Sequence, residues 1–193
     1  MHIVLYFGSY NPIHKAHLKI AAYLSEQNGV DEVWMVVSPH NPMKPIETLA
    51  PENHRLEMAR QAIVECKIEH KVKVCDIEFS LPKPSYTYQT LKLLREKYPH
   101  HTFSMLIGSD NLSLLNKWKC SEVIISTTKI YVYPRNGYSC EVLEENGANF
   151  EVLNGACLMD ISSTEIRDNH QCDNIIETTK KYIKEHDLYR RNP

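Results

Sequence analysis

His14 and His17, near the amino terminus, have a spacing that places two imidazoles on one face of a helix. A hydrophobic run over residues 3–7 precedes them, and Gly8 follows that run directly. A glycine at this point lets backbone N–H groups come close to a phosphate, and the N-terminus of a helix attracts anions. We therefore expect a phosphate site in which both imidazoles donate to phosphoryl oxygens as charge develops. The alternative is a helix that carries two surface histidines.

A second polar segment, far along the chain, has the residue types of an anion site. Ser162 and Glu165 match a capping-box pattern, in which both side chains bond free N–H groups at a helix start. Capping alone does not account for Ser163, Thr164 and Arg167. Hydroxyl groups beside free N–H groups form an anion nest, and arginine supplies a planar fork for phosphate oxygens. The segment is therefore expected to begin a helix and to hold phosphates as well.

Alternation of apolar runs and helical patterns predicts the elements that position these residues. The predicted strands share β-branched or apolar runs and cover residues 2–7, 32–37, 71–77, 103–107, 129–133 and 149–153. The predicted helices share apolar residues at helical spacing and cover residues 15–28, 51–67, 86–97, 110–115, 121–127, 140–146, 163–169 and 173–186. The two histidines thus lie between a strand and a helix.

This alternation predicts an α/β fold, a doubly wound, mostly parallel sheet with helices on both faces. The chain has 193 residues, enough for one domain, which we assign to residues 1–193. In such sheets ligands bind beyond the carboxyl ends of the strands. The segments that directly follow predicted strands, and that should meet at one edge, are 8–17, 38–44, 108–110 and 134–135.

The bulk composition limits the partners. Net charge is −2 and the pI is near 6.5, so no global positive field gathers nucleic acid. No apolar run reaches the roughly 18–20 residues that a membrane span needs, so no membrane partner is expected. The six cysteines include no C-x-x-C pair and nothing that resembles a zinc site. We therefore expect reduced thiols in a cytoplasmic protein.

The segment from Gly8 to His17 resembles the G-x-F-x-P-x-H-x-G-H signature of the nucleotidylyltransferase superfamily. It departs from that signature at Ala16, where the family has glycine, and at Tyr10-Asn11, where the family has Phe-Asp. Residues 161–167 resemble the I-S-S-T-x-x-R motif of the same superfamily. The resemblance implies a Rossmann-like nucleotidylyltransferase fold.

The middle of the chain resembles one branch of that superfamily, the bacterial nicotinate-nucleotide adenylyltransferases. Residues 85–91 are similar to its S-Y-T-x-x-T-L stretch, and residues 107–110 to its I-G-x-D. Pro42-Met43-Lys44 resembles its P-H-K loop, with methionine in place of histidine. Trp118 falls where that family stacks the pyridine ring, and the chain end, residues 182–189, is similar to the family ending.

The resemblance implies adenylyl transfer from ATP to nicotinate mononucleotide, which gives nicotinate adenine dinucleotide and pyrophosphate. It implies catalytic roles for His14, His17 and Arg167. The implied ATP-binding residues are Gly8, Ser9, Tyr10, His14, His17, Gly108, Asp110, Arg135, Ser162, Ser163, Thr164 and Arg167. The implied mononucleotide-binding residues are Lys44, Ser85, Thr87 and Trp118.

Several of these residues have a structural alternative. Trp118 could be a plain core residue, and Lys44 and Arg135 could be solvated surface residues. Asp110 and Thr87 could each cap a helix. The pair His54-Arg55, in a predicted helix, is interpreted as structural or as support for the site.

Alternatives for the function also stay open. An enzyme of the same superfamily could act on nicotinamide mononucleotide or phosphopantetheine, and a protein of a different class could sense nucleotides without catalysis. No cluster of aspartates resembles a magnesium cage, so we expect Mg²⁺ to arrive with the ATP phosphates and no all-protein metal site. A monomer and a homo-oligomer are both compatible with the sequence.

Overall fold

In a computed structural model of the chain, the described residues are 1–40, 49–140, 149–155, 159, 161–169 and 172–189. Their strands are β1 His2–Gly8, β2 Glu32–Val37, β3 Val72–Cys75, β4 Thr102–Gly108, β5 Ile130–Tyr133 and β6 Phe150–Val152. Their α-helices are α1 Lys15–Ser25, α2 Glu52–Glu65, α3 Thr87–Lys97, α4 Ser109–Leu112, α5 Ser121–Thr127, α6 Ser163–Asn169 and α7 Glu177–Glu185.

The strands form one sheet in the order β3-β2-β1-β4-β5-β6, and each described pair is parallel. This arrangement confirms the doubly wound α/β fold that the sequence predicts. The strand order reverses between β1 and β4. Because the connections after these two strands leave in opposite directions, a crevice opens at their carboxyl ends.

Neighbouring residues of β1 pack into apolar layers on opposite faces of the sheet. Val4 and Tyr6 pack into a layer that includes residues of α1 and α2, whereas Ile3 and Leu5 pack into a layer that includes residues of α3 and α5. None of the four side chains is more than 4% exposed. Burial on both faces explains why the strand is apolar at consecutive positions, and it holds the carboxyl end of β1 in a fixed place.

Two elements end earlier than the sequence pattern predicts. β3 stops at Cys75, and the 3-10 turn Ile77–Ser80 follows, which buries the side chain of Glu78. α1 ends at Ser25, whose hydroxyl donates to the carbonyl of Ala22 over 2.8 Å. A serine that bonds the preceding turn in this way competes with continuation of the helix.

Two predicted helices are interrupted in the structure. The predicted helix 110–115 is instead α4 followed by a 3-10 turn, because Leu115 turns into the apolar layer and is 2% exposed. The predicted helix 173–186 is continuous only over α7. Before α7, Ile175 leaves the helical path and packs against Ile166, and it is 3% exposed.

The other predicted strands and helices are confirmed to within about two residues at each end. The predicted helix at 140–146 lies outside the described residues except for Cys140. In the described part of the chain, no helix is both long enough and apolar enough to cross a membrane. Cys66, Cys75, Cys120 and Cys140 carry free thiols.

Candidate active site

Two adjacent cavities open at the carboxyl ends of the strands, beside the crevice between β1 and β4. The first has a volume of about 340 Å³ and the second about 440 Å³. Tyr6 of β1 and Tyr133 of β5 line both cavities, so the two spaces meet along these rings. The described residues of the four segments that follow β1, β2, β4 and β5 thus converge on one edge of the sheet, as the sequence predicts.

The first cavity gathers most of the residues assigned to ATP. Those that line it are His14, His17, Asp110, Arg135, Ser162, Ser163 and Thr164. Gly8 and Gly108 line the second cavity instead. Ser9, Tyr10 and Arg167 line neither cavity. The structure therefore brings both sequence motifs to one space but places three of the assigned residues behind its wall.

The second cavity gathers the residues assigned to the mononucleotide that the structure describes. Ser85, Thr87 and Trp118 line it. Lys44 lies outside the described residues, as does the neighbouring Met43. Two sequence motifs, one before α3 and one before α5, therefore face each other across this cavity.

The two motif histidines form a compact pair at the start of α1. Their rings are stacked, with centroids 3.6 Å apart and an angle of 23° between the planes. The backbone N–H of His14 donates to Nδ1 of His17 over 3.3 Å, and the backbone of His17 bonds the His14 side chain in return. His14 is 4% exposed, and His17 is partly exposed toward the cavity. The pair thus caps its own helix, a second role that the sequence pattern does not reveal.

Ala16, the departure between the two histidines, is 4% exposed. It packs in a small apolar cluster with Ile161, Ile166 and Ile175. Two of these isoleucines belong to the second motif, so the methyl group of Ala16 helps to join the two motifs. Both histidines still line the cavity beside it.

The second motif starts α6 with the capping box that the sequence predicts. The backbone N–H of Ser162 donates to the Glu165 carboxylate over 3.2 Å, and the N–H of Glu165 donates to the Ser162 hydroxyl over 3.1 Å. Ser163 and Thr164 line the first cavity at this helix start. The hydroxyl of Ser163 also donates to the carbonyl of Pro12 over 3.0 Å, which ties the two motifs together.

Arg167 reaches back from α6 to the turn that carries the first motif. One guanidinium nitrogen donates to the carbonyl of Asn11 over 2.6 Å and to that of Ser163 over 3.1 Å. The other terminal nitrogen donates to the Thr164 hydroxyl over 3.3 Å. In this structure the arginine therefore orients residues of the cavity wall from behind.

Gly8 allows a tyrosine ring to lie against the backbone. A Cβ atom at Gly8 would come within 2.7 Å of the ring of Tyr10. Tyr10 has a φ of 45° and is 1% exposed, and its hydroxyl donates to the carbonyl of Tyr6. Glycine is needed here for this close packing, in addition to any role beside a phosphate.

Arg55 of α2 holds together the loops that leave β1 and β2. Its side chain is buried, 1% exposed, and donates to four backbone carbonyls. The acceptors are those of Ala50 at 2.8 Å, Ser9 at 2.6 Å, Ser38 at 2.7 Å and Pro39 at 2.8 Å. The interpretation of Arg55 as a residue that supports the site is consistent with these contacts.

Asp110 and Arg135 form an ion pair across the ends of β4 and β5, with 2.9 Å between the carboxylate and the guanidinium. Gly108 is the N-cap of α4, so the structural alternative in which Asp110 caps that helix is wrong. A Cβ atom at Gly108 would collide with the Asp110 carboxylate and touch the ring of Tyr133. The glycine therefore leaves room for a charged pair at the edge of the first cavity.

The wall between the cavities is electrically neutral at physiological pH. Burial, together with the neighbouring tyrosines, raises the pKa of Tyr6 well above its usual value. Burial also raises the pKa of Tyr133, although Arg135 opposes this shift. The two phenols therefore stay protonated and place no negative charge along this wall.

Trp118 is partly buried, packs against one apolar layer and lines the second cavity, so it is not a plain core residue. The sequence predicts no role for the next residue, Lys119. Its ammonium lies 4.7 Å from the ring centre of Tyr86 and 5.8 Å from that of Tyr88. These cation–π contacts join the Trp118 loop to the start of α3 across the cavity.

The start of α3 forms the opposite wall of the second cavity. Tyr86 is the N-cap and Thr87 is the first helical residue, so the alternative in which Thr87 caps this helix is wrong. Both residues line the cavity. The first N–H groups of a helix have no partner within it and attract anions, so this wall suits a carboxylate.

Within the described ranges, no group of three His, Cys, Asp or Glu side chains is arranged to hold a metal ion. Asp110 is the one acidic residue among the described residues that line the first cavity, and it is already paired with Arg135. This donor set suits a cation that keeps water and phosphate oxygens as ligands.

The fold and the two cavities place this chain in the cytidylyltransferase-like class, whose family model matches residues 5–169. A "Probable nicotinate-nucleotide adenylyltransferase" of Flavobacterium johnsoniae is 47% identical over 88% of this chain and 86% of that protein. The protein of the same name from Flavobacterium psychrophilum is 40% identical over 99% of this chain and 100% of its own length. This chain therefore belongs to the nicotinate-nucleotide adenylyltransferase family.

A solved structure supports the same assignment. The nicotinic acid mononucleotide adenylyltransferase of Plasmodium falciparum, complexed with NaAD, superimposes with a TM-score of 0.85. It is 25% identical to this chain, and the match covers 99% of this chain and 98% of that one. The likeness of the fold therefore extends over nearly the whole of both chains.

Proposed function

We propose that this chain transfers the adenylyl group of ATP to nicotinate mononucleotide, giving nicotinate adenine dinucleotide and pyrophosphate for NAD biosynthesis. The observation that carries the proposal is the pair of adjacent cavities. One is bounded by the phosphate-type motifs, and the other by an aromatic ring and a helix N-terminus. The names of the relatives and the NaAD-bound neighbour support the same reaction.

In the proposed reaction the 5′-phosphate of the mononucleotide attacks the α-phosphorus of ATP in line. A new P–O bond forms to that phosphate, and the bond from the α-phosphorus to the bridging oxygen of pyrophosphate breaks. The substrate phosphate is itself the nucleophile, so no side chain needs to form a covalent intermediate. Catalysis then consists of positioning and charge stabilisation. His14 and His17 are assigned to donate to the α- and β-phosphate oxygens.

The leaving pyrophosphate is assigned to the second motif. Ser162, Ser163 and Thr164 would face the β- and γ-phosphates at the start of α6, and Arg167 adds positive charge and orients Thr164. Mg²⁺, held by the ATP phosphates and water, would neutralise charge on the leaving group. The Asp110 carboxylate is assigned to accept hydrogen bonds from the ribose hydroxyls of ATP. Arg135 is assigned as a further contact to ATP.

The acceptor is assigned to the second cavity. Trp118 would stack on the cationic pyridine ring, and the N–H and hydroxyl of Thr87 would meet the nicotinate carboxylate. Lys44 is proposed to neutralise the mononucleotide phosphate. We further propose that residues 1–193 work as one nucleotidylyltransferase domain, because the described strands share one sheet. The cytoplasmic location stays a prediction, and a homo-oligomer stays an open alternative.

Purified protein should form the dinucleotide faster from nicotinate mononucleotide than from nicotinamide mononucleotide, because an anion gains more from the N-terminus of α3 than a neutral amide. Mass spectrometry of reactions with ATP, Mg²⁺ and either mononucleotide measures this. Equal rates would reject acid specificity. Thermal stabilisation by ATP without product would instead support the nucleotide sensor.

Replacement of Trp118 by alanine should raise KM for nicotinate mononucleotide about tenfold or more, because a stacking contact contributes roughly 1–3 kcal/mol. KM for ATP should change by less than about twofold, since Trp118 does not line the first cavity. Steady-state kinetics with each substrate varied in turn measures both constants. Trp118→Phe, which keeps an aromatic face, is the matched control and should stay near wild type. An alanine variant with unchanged KM for the mononucleotide would remove Trp118 from the acceptor site.

A further inference from the structure

Glu78 is a buried carboxylate in the wall of the second cavity that the motifs do not account for. It lies in the 3-10 turn after β3, is 2% exposed and lines this cavity. Its Oε2 accepts a hydrogen bond from the Ser85 hydroxyl over 2.6 Å, and its Oε1 accepts one from the Thr90 hydroxyl over 2.8 Å. One side chain therefore serves two hydroxyls that lie on either side of the start of α3.

The two hydroxyls bracket the N-terminus of α3. Ser85 precedes the N-cap Tyr86, and Thr90 lies in the first turn. Thr90 is fully buried and does not line either cavity. Bonds from both positions to one carboxylate fix the first turn of α3 relative to β3, and so fix the direction in which its free N–H groups point.

Burial raises the pKa of Glu78, and the side-chain hydrogen bonds from Ser85, Thr90 and Ser38 oppose that shift. In the described part of the chain no lysine, arginine or histidine forms an ion pair with it. Burying a carboxylate without a cation is costly, so a position of this kind is retained only where the hydrogen bonds compensate.

The bond to Glu78 also limits what Ser85 can do. A serine hydroxyl has one hydrogen, and here it is donated to Glu78, so toward the cavity Ser85 can only accept. A bound carboxylate needs donors. The N–H groups at the first turn of α3 and the hydroxyl of Thr87 are therefore better placed than Ser85 to hold one.

We infer that Glu78 is a positioning residue for the acceptor: from behind the cavity wall it holds Ser85 and Thr90, so that the N-terminus of α3 faces the carboxylate of a pyridine mononucleotide. This inference rests on the proposed function, because it names the part of the proposed acceptor that α3 recognises. Glu78 is thereby expected to support the preference for nicotinate over nicotinamide mononucleotide and to make no contact with ATP.

Glu78→Gln tests the inference with little change in shape. The amide nitrogen cannot accept a hydrogen bond, so one of the two hydroxyls loses its acceptor. We expect KM for nicotinate mononucleotide to rise about five- to tenfold, KM for ATP to stay within about twofold, and the preference for the acid over the amide mononucleotide to fall. Glu96→Gln makes the same change at an exposed position of α3, so it is the matched control and should leave both KM values and the preference unchanged.

Thr90 provides a second, independent test. Thr90→Val removes the hydroxyl at nearly constant volume and should also raise KM for the mononucleotide. Thr90→Ser keeps the hydroxyl and should have a KM close to that of the wild type. In the double variant Thr90→Val with Glu78→Gln, KM for the mononucleotide should rise by less than the product of the two single-variant factors, because both changes remove the same hydrogen bond. If both single variants keep the wild-type KM, or weaken both substrates equally, the inference is wrong. Wild-type protein that forms no dinucleotide would instead overturn the proposed function.

Discussion

Replacement of His17 by alanine should lower kcat for dinucleotide synthesis about 10²–10³-fold, the usual effect of removing one donor that stabilises developing charge. His17 lines the first cavity and stacks on His14, so its imidazole lies beside the proposed α- and β-phosphates. The contact is expected to strengthen as charge builds on these oxygens, so kcat should fall more than the affinity for ATP. Initial rates of dinucleotide formation at saturating substrates measure the effect.

Because His17 also caps α1, the alanine variant loses a helix cap, which costs about 1 kcal/mol. His17→Asn separates the two roles, since its side-chain oxygen can still accept from the His14 backbone while the imidazole is absent. The asparagine variant should recover thermal stability but not turnover. His100→Ala, at an exposed position before β4, is the matched control. Turnover like that of the wild type in the alanine variant would exclude His17 from charge stabilisation.

The parts of the site that the sequence predicts are those formed by neighbours in the chain. The passage from β1 through Gly8 to His14 and His17 is local, so an apolar run, a glycine and a helical spacing suffice to predict it. The capping box of Ser162 and Glu165 is local in the same sense. The parallel sheet follows from the repeated alternation of strands and helices.

The parts that the sequence does not reveal join residues far apart in the chain. Arg167 bonds the carbonyl of Asn11 across 156 positions. The side-chain oxygen of Asn11 also accepts from the N–H of Ala50 over 3.0 Å and from the hydroxyl of Tyr189 over 2.9 Å. Neither the periodicity nor the motifs predict which of these atoms bond, because the contacts exist only after the sheet has formed.

Glu78 shows the same limit in a short segment. The sequence pattern extends the third strand to residue 77, and alternation along a strand does not predict that the next side chain turns inward. It is buried because Ser85 and Thr90 can bond it, and these lie beyond a proline-containing loop. Tertiary hydrogen bonding here outweighs the local strand preference.

Replacement of Arg55 by leucine should lower the free energy of unfolding by roughly 3–5 kcal/mol, because it removes a buried cation and leaves its carbonyl acceptors without a donor. The acceptors belong to the loops after β1 and β2, next to Gly8 and Ser38 at the second cavity. Activity should therefore fall even at temperatures where the variant is folded. Urea unfolding and assays at low temperature measure the two effects separately.

Arg60→Leu is the matched control, because it changes the same residue type on the same helix at an exposed position. Arg60 forms a surface ion pair with Asp76, at 3.3 Å, so its loss should cost less than about 1 kcal/mol. Arg55→Lys keeps the charge but not the planar fork, and should lie between leucine and wild type. If Arg55→Leu were no less stable than Arg60→Leu, the carbonyls of both loops would have other donors, and Arg55 would not be what holds the two loops beside the site.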